Sequence, residues 1–147
     1  MRLGMNNEVL ITIKGMQFGS DDASESIADV YEGKFFEREG IKYLMYYENI
    51  EGTEQDTKCL IKIGINEVSV TKRGAVNVEM PFKVGRKQLT NYDTSFGGFT
   101  LGFKTKNITC QEAEESLTLD IDYKLEMNYE YLADCHINIF VQNKTPS

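Results

Sequence analysis

Between Leu117 and Met127 apolar and polar residues alternate without a break. Leu117, Leu119, Ile121, Tyr123, Leu125 and Met127 form one set, and Thr118, Asp120, Asp122, Lys124 and Glu126 form the other. A β-strand points successive side chains to opposite faces, so the two sets separate into a dry face and a wet one. A helix advances about 100° per residue and would smear both sets around its axis. This segment therefore reads as a strand of a sheet with one buried face.

The same period recurs along the chain. Val9, Ile11 and Ile13 lead a first strand that runs to about Gln17, and Ile27 to Arg38 reads as a long second strand. Ile41 to Ile50 follows after the tight turn Arg38-Glu39-Gly40-Ile41. Thr57 to Ile63 and Glu67 to Arg73 form a hairpin around Gly64-Ile65-Asn66; Val78 to Phe82 and Arg86 to Thr94 form another around Lys83-Val84-Gly85. Phe99 to Cys110, Ser116 to Met127 and Leu132 to Val141 complete about ten strands with short connections. One phase break stands out: Phe99, Leu101 and Phe103 are odd-numbered, whereas Ile108 and Cys110 are even. A β-bulge near Thr105 to Asn107 would keep both groups on the core side and help the sheet to curl.

Sequential hairpins favour a meander, and closure removes exposed edges. The expected fold is all-β: one antiparallel, mostly up-and-down barrel. A two-sheet sandwich is the alternative. Pro81 inside a strand marks an edge or a bulge, because proline cannot donate to a ladder. Asp21 to Ser26 reads as a polar loop. No repeat, linker or composition shift divides the chain, so residues 1–147 are expected to form one domain with its packed core over about 8–142.

The chain carries 16 Lys and Arg against 23 Asp and Glu, a net charge of −7. That disfavours nucleic acid as a partner, since neutralising phosphates needs a basic surface. The charge is uneven. Lys72 to Lys106 holds seven bases against two acids, a net +5, which leaves −12 for the rest. No apolar run approaches the roughly 20 residues of a membrane helix, and the first residues lack the pattern of a signal peptide. A cytoplasmic location without membrane association is expected. Cys59, Cys110 and Cys135 lack any C-x-x-C spacing, and each alternates in phase with apolar neighbours. They read as small buried hydrophobes.

Several segments together resemble a known family. They are Val9 to Gly15, Tyr31-Glu32-Gly33-Lys34-Phe35-Phe36, the tyrosine-rich Tyr43 to Glu48, Arg73-Gly74-Ala75-Val76 followed by Met80, Phe82 and Gly85, and Tyr92 to Gly97. In this order they are similar to the YwiB-like family of uncharacterised bacterial proteins. The resemblance covers nearly the whole chain and implies a lipocalin-like (calycin) β-barrel. It implies no activity.

No residue set reads as a catalytic centre, a metal site or a cofactor site. His136, the single histidine, falls out of phase with Cys135 and Ile137 and is expected on the surface. There is no G-x-S-x-G elbow, P-loop or EF-hand pattern. The expectation is a binding module whose barrel holds a small amphipathic molecule, with an anionic head as one option. Arg73, Arg86 and Tyr92 would grip the head at the rim or interior, Phe36, Tyr43, Tyr47, Phe82 and Phe103 would wall it, and Glu32 belongs to the same candidate interior or rim set. The second reading is an accessory protein that docks a protein partner on its outer face. An enzyme comes last; it would use Glu32 with Arg73 or Tyr92, and needs Glu32 within reach of Arg73.

Overall fold

The alternating segments form strands that pair in sequence order in a computed structural model, which describes residues 8–15, 28–49, 56–75, 77–94 and 97–144. The strands are β1 (Glu8–Lys14), β2 (Ala28–Arg38), β3 (Ile41–Glu48), β4 (Thr57–Ile63), β5 (Glu67–Arg73), β6 (Val78–Lys83), β7 (Lys87–Thr94), β8 (Gly97–Glu112), β9 (Ser116–Met127) and β10 (Glu130–Asn143). Three of these match the sequence reading to the residue, and the others differ at their ends. The expected end of β1 at Gln17 and the loop Asp21 to Ser26 lie outside the described residues.

The ladder order is β6-β5-β4-β3-β2-β1-β10-β9-β8-β7, and all pairings are antiparallel. Each strand lies beside its sequence neighbours, and β1 lies beside β10. The ring is a nearly closed up-and-down barrel with its seam between β6 and β7. The turn joining those two strands ties the seam at one end. Val84 N–H donates to the Asn66 carbonyl (3.1 Å), and Gly85 N–H donates to the Thr105 carbonyl (3.1 Å). Pro81 sits on β6, the last strand of the ladder, where its missing donor does least harm.

Local chemistry explains the elements. The β2–β3 turn puts both Glu39 (φ 53°) and Gly40 (φ 81°) in the left-handed region, the geometry that matches the twist of a hairpin. In β8 the register slips between Thr105 and Asn107, as the phase break requires. Leu101, Phe103 and Thr105 therefore face the core before the slip, and Ile108 packs on it after. The odd positions of β1, β4, β9 and β10 and the even positions of β3, β5 and β6 fill the interior. Ile11, Ile61, Ile121, Ile137 and Ile139 are fully buried there.

One expectation about the cysteines fails. Cys59 is buried, but Cys135 is half-buried and Cys110 is exposed. The cause is stagger. β7 pairs only Gly97 to Lys104 of β8, and β1 pairs β10 only from Asn138 onward. Cys110 and Cys135 thus sit on stretches that have lost one neighbouring strand.

Candidate functional site

Strand register carries Gly33, Tyr46, Cys59, Lys72 and Val78 into one row across β2 to β6. Glu48 and Thr57 face each other in the next row, at the barrel end where β3 and β5 stop and β4 begins. Lys72 follows Val68 and Val70 in the inward phase of β5, and Glu48 follows Leu44 and Tyr46 in that of β3. Two opposite charges are thus built into core positions. The Lys72 ammonium donates to both carboxylate oxygens of Glu48 at 3.1 Å, and the Tyr31 hydroxyl donates to Glu48 Oε2 at 3.3 Å. Their side chains retain only 10% and 17% of their exposure for Lys72 and Glu48. Desolvation of two ions on this scale is tolerated only because they meet each other and a further donor.

Beside the pair the Tyr46 side chain is almost fully enclosed. Its ring packs on Tyr31 with centroids 4.6 Å apart, and among the described residues its hydroxyl meets no oxygen or nitrogen partner, only the weak Cys59 thiol. Burial, reinforced by the negative charge of Glu48, pushes the phenols of Tyr31 and Tyr46 well above the ordinary tyrosine range. The Cys59 thiol is pushed up to about 12, by burial first and then by Glu48. At neutral pH all three are protonated, and Cys59 is no nucleophile. The set offers hydrogen-bond donors and acceptors without an activated group.

The neighbouring turn supports this end. Gly74 has φ 145°, and a Cβ there would lie 2.3 Å from the Asp56 carbonyl and 2.8 Å from the Thr57 Cα, so only glycine lets β5 come so close. The Arg73 guanidinium donates to the carbonyls of Lys72 (2.9 Å) and Val78 (3.4 Å), bracing the same turn. At the opposite end Lys42 on β3 reaches across to Glu112 on β8 at 2.6 Å. Between the ends the interior is filled by Phe82, Phe103 and Tyr123, whose centroids stand 4.8 to 5.8 Å apart.

These positions scatter the residues expected to form one site. Phe82 and Phe103 are interior but packed in the core. Tyr92 is half-buried against that core on β7. Phe36, Tyr43 and Tyr47 are not an interior wall: Phe36 stacks on Tyr43 at 4.9 Å on the outer face, and Tyr47 is 53% exposed there. Phe35, Leu44 and Tyr46 take the inward phase instead, which forces their neighbours outward. Arg73 is exposed on the outer face, and Arg86 is exposed at the seam turn. Glu32 points outward and pairs with Lys144 at 2.8 Å. Glu32 and Arg73 lie three strands apart, about 14 Å at the usual interstrand spacing. They are not a catalytic pair.

Tyr31, Tyr46, Glu48 and Lys72 went unrecognised in the sequence. The available signal was charge in a core phase: Lys72 two residues after Val70, and Glu48 two after Tyr46. His136 is on the surface as expected, but it is held. Its Nδ1 meets Asp122 Oδ1 at 2.5 Å, and its Nε2 meets Asp120 Oδ1 at 3.0 Å.

Comparison with known proteins agrees with the barrel. The family model described as "Domain of unknown function (DUF1934)" matches residues 11–139. The chain is 28% identical over 127 residues to the "Uncharacterized beta-barrel protein YwiB" of Bacillus subtilis (strain 168), covering 86% of this chain and 88% of that one. The crystal structure of the ywiB protein from Bacillus subtilis superposes with a TM-score of 0.77 at 25% identity, covering 95% of this chain and 93% of that chain. The YwiB-like resemblance therefore holds.

Proposed function

The chain belongs to the DUF1934 family, and on that premise we propose that its barrel is a non-catalytic binding module for a small amphipathic molecule. The molecule would seat its polar head over the cluster of Tyr31, Tyr46, Glu48 and Lys72. The observation that carries this reading is the buried Tyr46 hydroxyl, which among the described residues meets no oxygen or nitrogen partner and only the weak Cys59 thiol, although it sits beside an internal ion pair. A buried polar group left unsatisfied costs about 1–3 kcal/mol, and a ligand that bonds to it would recover that cost.

The head is expected to be uncharged. Lys72 is already neutralised by Glu48, so an anion would have to displace a carboxylate that holds two contacts. A hydroxyl or carbonyl can instead pair with Tyr46. The arginines that suggested an anionic head lie on the outer face and at the seam. Half-buried Tyr31, Tyr92 and Met127 lie near the same strand ends and suit an apolar tail.

The test uses Prodan, a neutral naphthalene fluorophore with a carbonyl head. Titration of the intact protein should give saturable binding with blue-shifted emission. The paired substitution Glu48→Gln/Lys72→Met removes both charges at once and leaves no lone buried ion. It should weaken binding about tenfold, the equivalent of one lost hydrogen bond to the head. Absence of saturable binding, or undiminished affinity in the folded double variant, would defeat the proposal.

A further inference from the structure

The outer face of β3, β4 and β5 differs from the rest of this acidic protein. Its outward positions run Ile41, Tyr43, Met45 and Tyr47 on β3, then Lys58, Leu60 and Lys62 on β4, then Glu67, Ser69, Thr71 and Arg73 on β5. Glu67, at the far end of β5 and 3.8 Å from Lys83, is the one carboxylate among them, in a chain where acids outnumber bases 23 to 16. The register sets aromatic against cation in adjoining rows: Tyr43 faces Lys62, and Tyr47 faces Lys58, which faces Arg73. Between those rows Met45 faces Leu60. On β2 Phe36 extends the aromatic surface and is 43% exposed.

Arg73 braces its turn, but the two lysines here are not used to hold the fold. Among the described residues Lys58 and Lys62 lie in no ion pair, whereas Lys83, Lys87 and Lys144 each reach a glutamate. A groove of about 210 Å³ opens at the edge of the same face, lined by Glu32, Lys34, Met45 and Tyr47 among others. An outward sheet face is ordinarily polar; exposed aromatics among unpaired cations mark a contact surface.

We propose that this face docks a short acidic segment of a partner protein, with its carboxylates on Lys58 and Lys62 and an apolar side chain in the groove. Charge complementarity selects the partner: the face offers three cations, Lys58, Lys62 and Arg73, while its one carboxylate, Glu67, lies by Lys83, and Glu32 at the groove is paired with Lys144. A protein segment suits it better than nucleic acid. The chain's net charge of −7 repels a long polyanion over its whole surface, while a short segment meets only the local cations.

The probe is a short fluorescein-labelled peptide of alternating Glu and Leu, followed by anisotropy and by amide chemical-shift mapping on the full chain. Binding should shift Tyr47, Lys58 and Lys62 and should weaken between about 0.05 and 0.5 M salt. Lys58→Glu/Lys62→Glu should weaken it about tenfold or more, as loss of rim charge contacts predicts. Lys87→Glu/Lys104→Glu, on the other half of the barrel, should leave it unchanged. Three results would overturn the proposal: no saturable binding of the peptide, equal loss in both double variants, or tighter binding of oligo-dT than of the peptide at this face.

Discussion

Replacing Tyr46 by phenylalanine should stabilise this protein. The side chain is 1% exposed, and among the described residues only the Cys59 thiol, a weak partner, lies against its hydroxyl. In the unfolded chain water satisfies that hydroxyl; in the folded chain only that sulfur stands in for it. The desolvation penalty for such a group is about 1–3 kcal/mol. Phenylalanine keeps the ring that packs on Tyr31, so the cavity left is no larger than one oxygen. Net stabilisation of about 1–2 kcal/mol is expected. For a domain of this length that raises Tm by roughly 2–4 °C per kcal/mol. Urea unfolding followed by far-ultraviolet circular dichroism suits the measurement, because the chain has no tryptophan. The midpoint should rise with an unchanged slope. Thr105→Val removes the second hydroxyl that is buried without a partner among the described residues and should act in the same direction. If Tyr46→Phe lowers stability by about 1 kcal/mol or more, the hydroxyl holds a partner in solution and the reasoning fails.

Gly74→Ala should destabilise by about 2–4 kcal/mol, since it combines a left-handed φ with a backbone clash; a urea midpoint within error of the parent would refute this. His136 is held protonated above the ordinary histidine range, first by its hydrogen bond to Asp122 and then by Asp120, against partial burial. Its raised folded value means that its contribution is complete below about pH 6.5 and is lost as pH rises through the folded pKa. An NMR titration of the ring should find the midpoint above about 6.5, and His136→Gln should flatten stability across that window. A thiol reagent should modify exposed Cys110 before half-buried Cys135, and should reach Cys59, pushed up to about 12, only on unfolding. Labelling of Cys59 at the rate of Cys110 in the native protein would contradict the burial.

Much of the fold is legible in local pattern, because strand parity is a property of consecutive residues. Thr57–Ile63, Glu67–Arg73 and Ser116–Met127 alternate cleanly, and their bounds are legible to the residue. The bulge at Thr105 to Asn107 followed from parity alone. Parity is unreadable where both faces are apolar. Tyr43-Leu44-Met45-Tyr46-Tyr47 and Phe35-Phe36 give no contrast, so aromatic character drew Phe36, Tyr43 and Tyr47 toward an interior that Leu44 and Tyr46 occupy.

Period-two alternation by itself determined the strands, their order as hairpins and the all-β class, because backbone geometry turns neighbouring residues to opposite sides. Stagger and pairing were decided only in three dimensions. They exposed Cys110, brought Lys72 against Glu48 across β4, and left the Tyr46 hydroxyl beside them with only the Cys59 thiol. The Lys72–Glu48 contact joins residues 24 positions apart in the chain, and no local rule specifies which row of one strand meets which row of another until the ring closes.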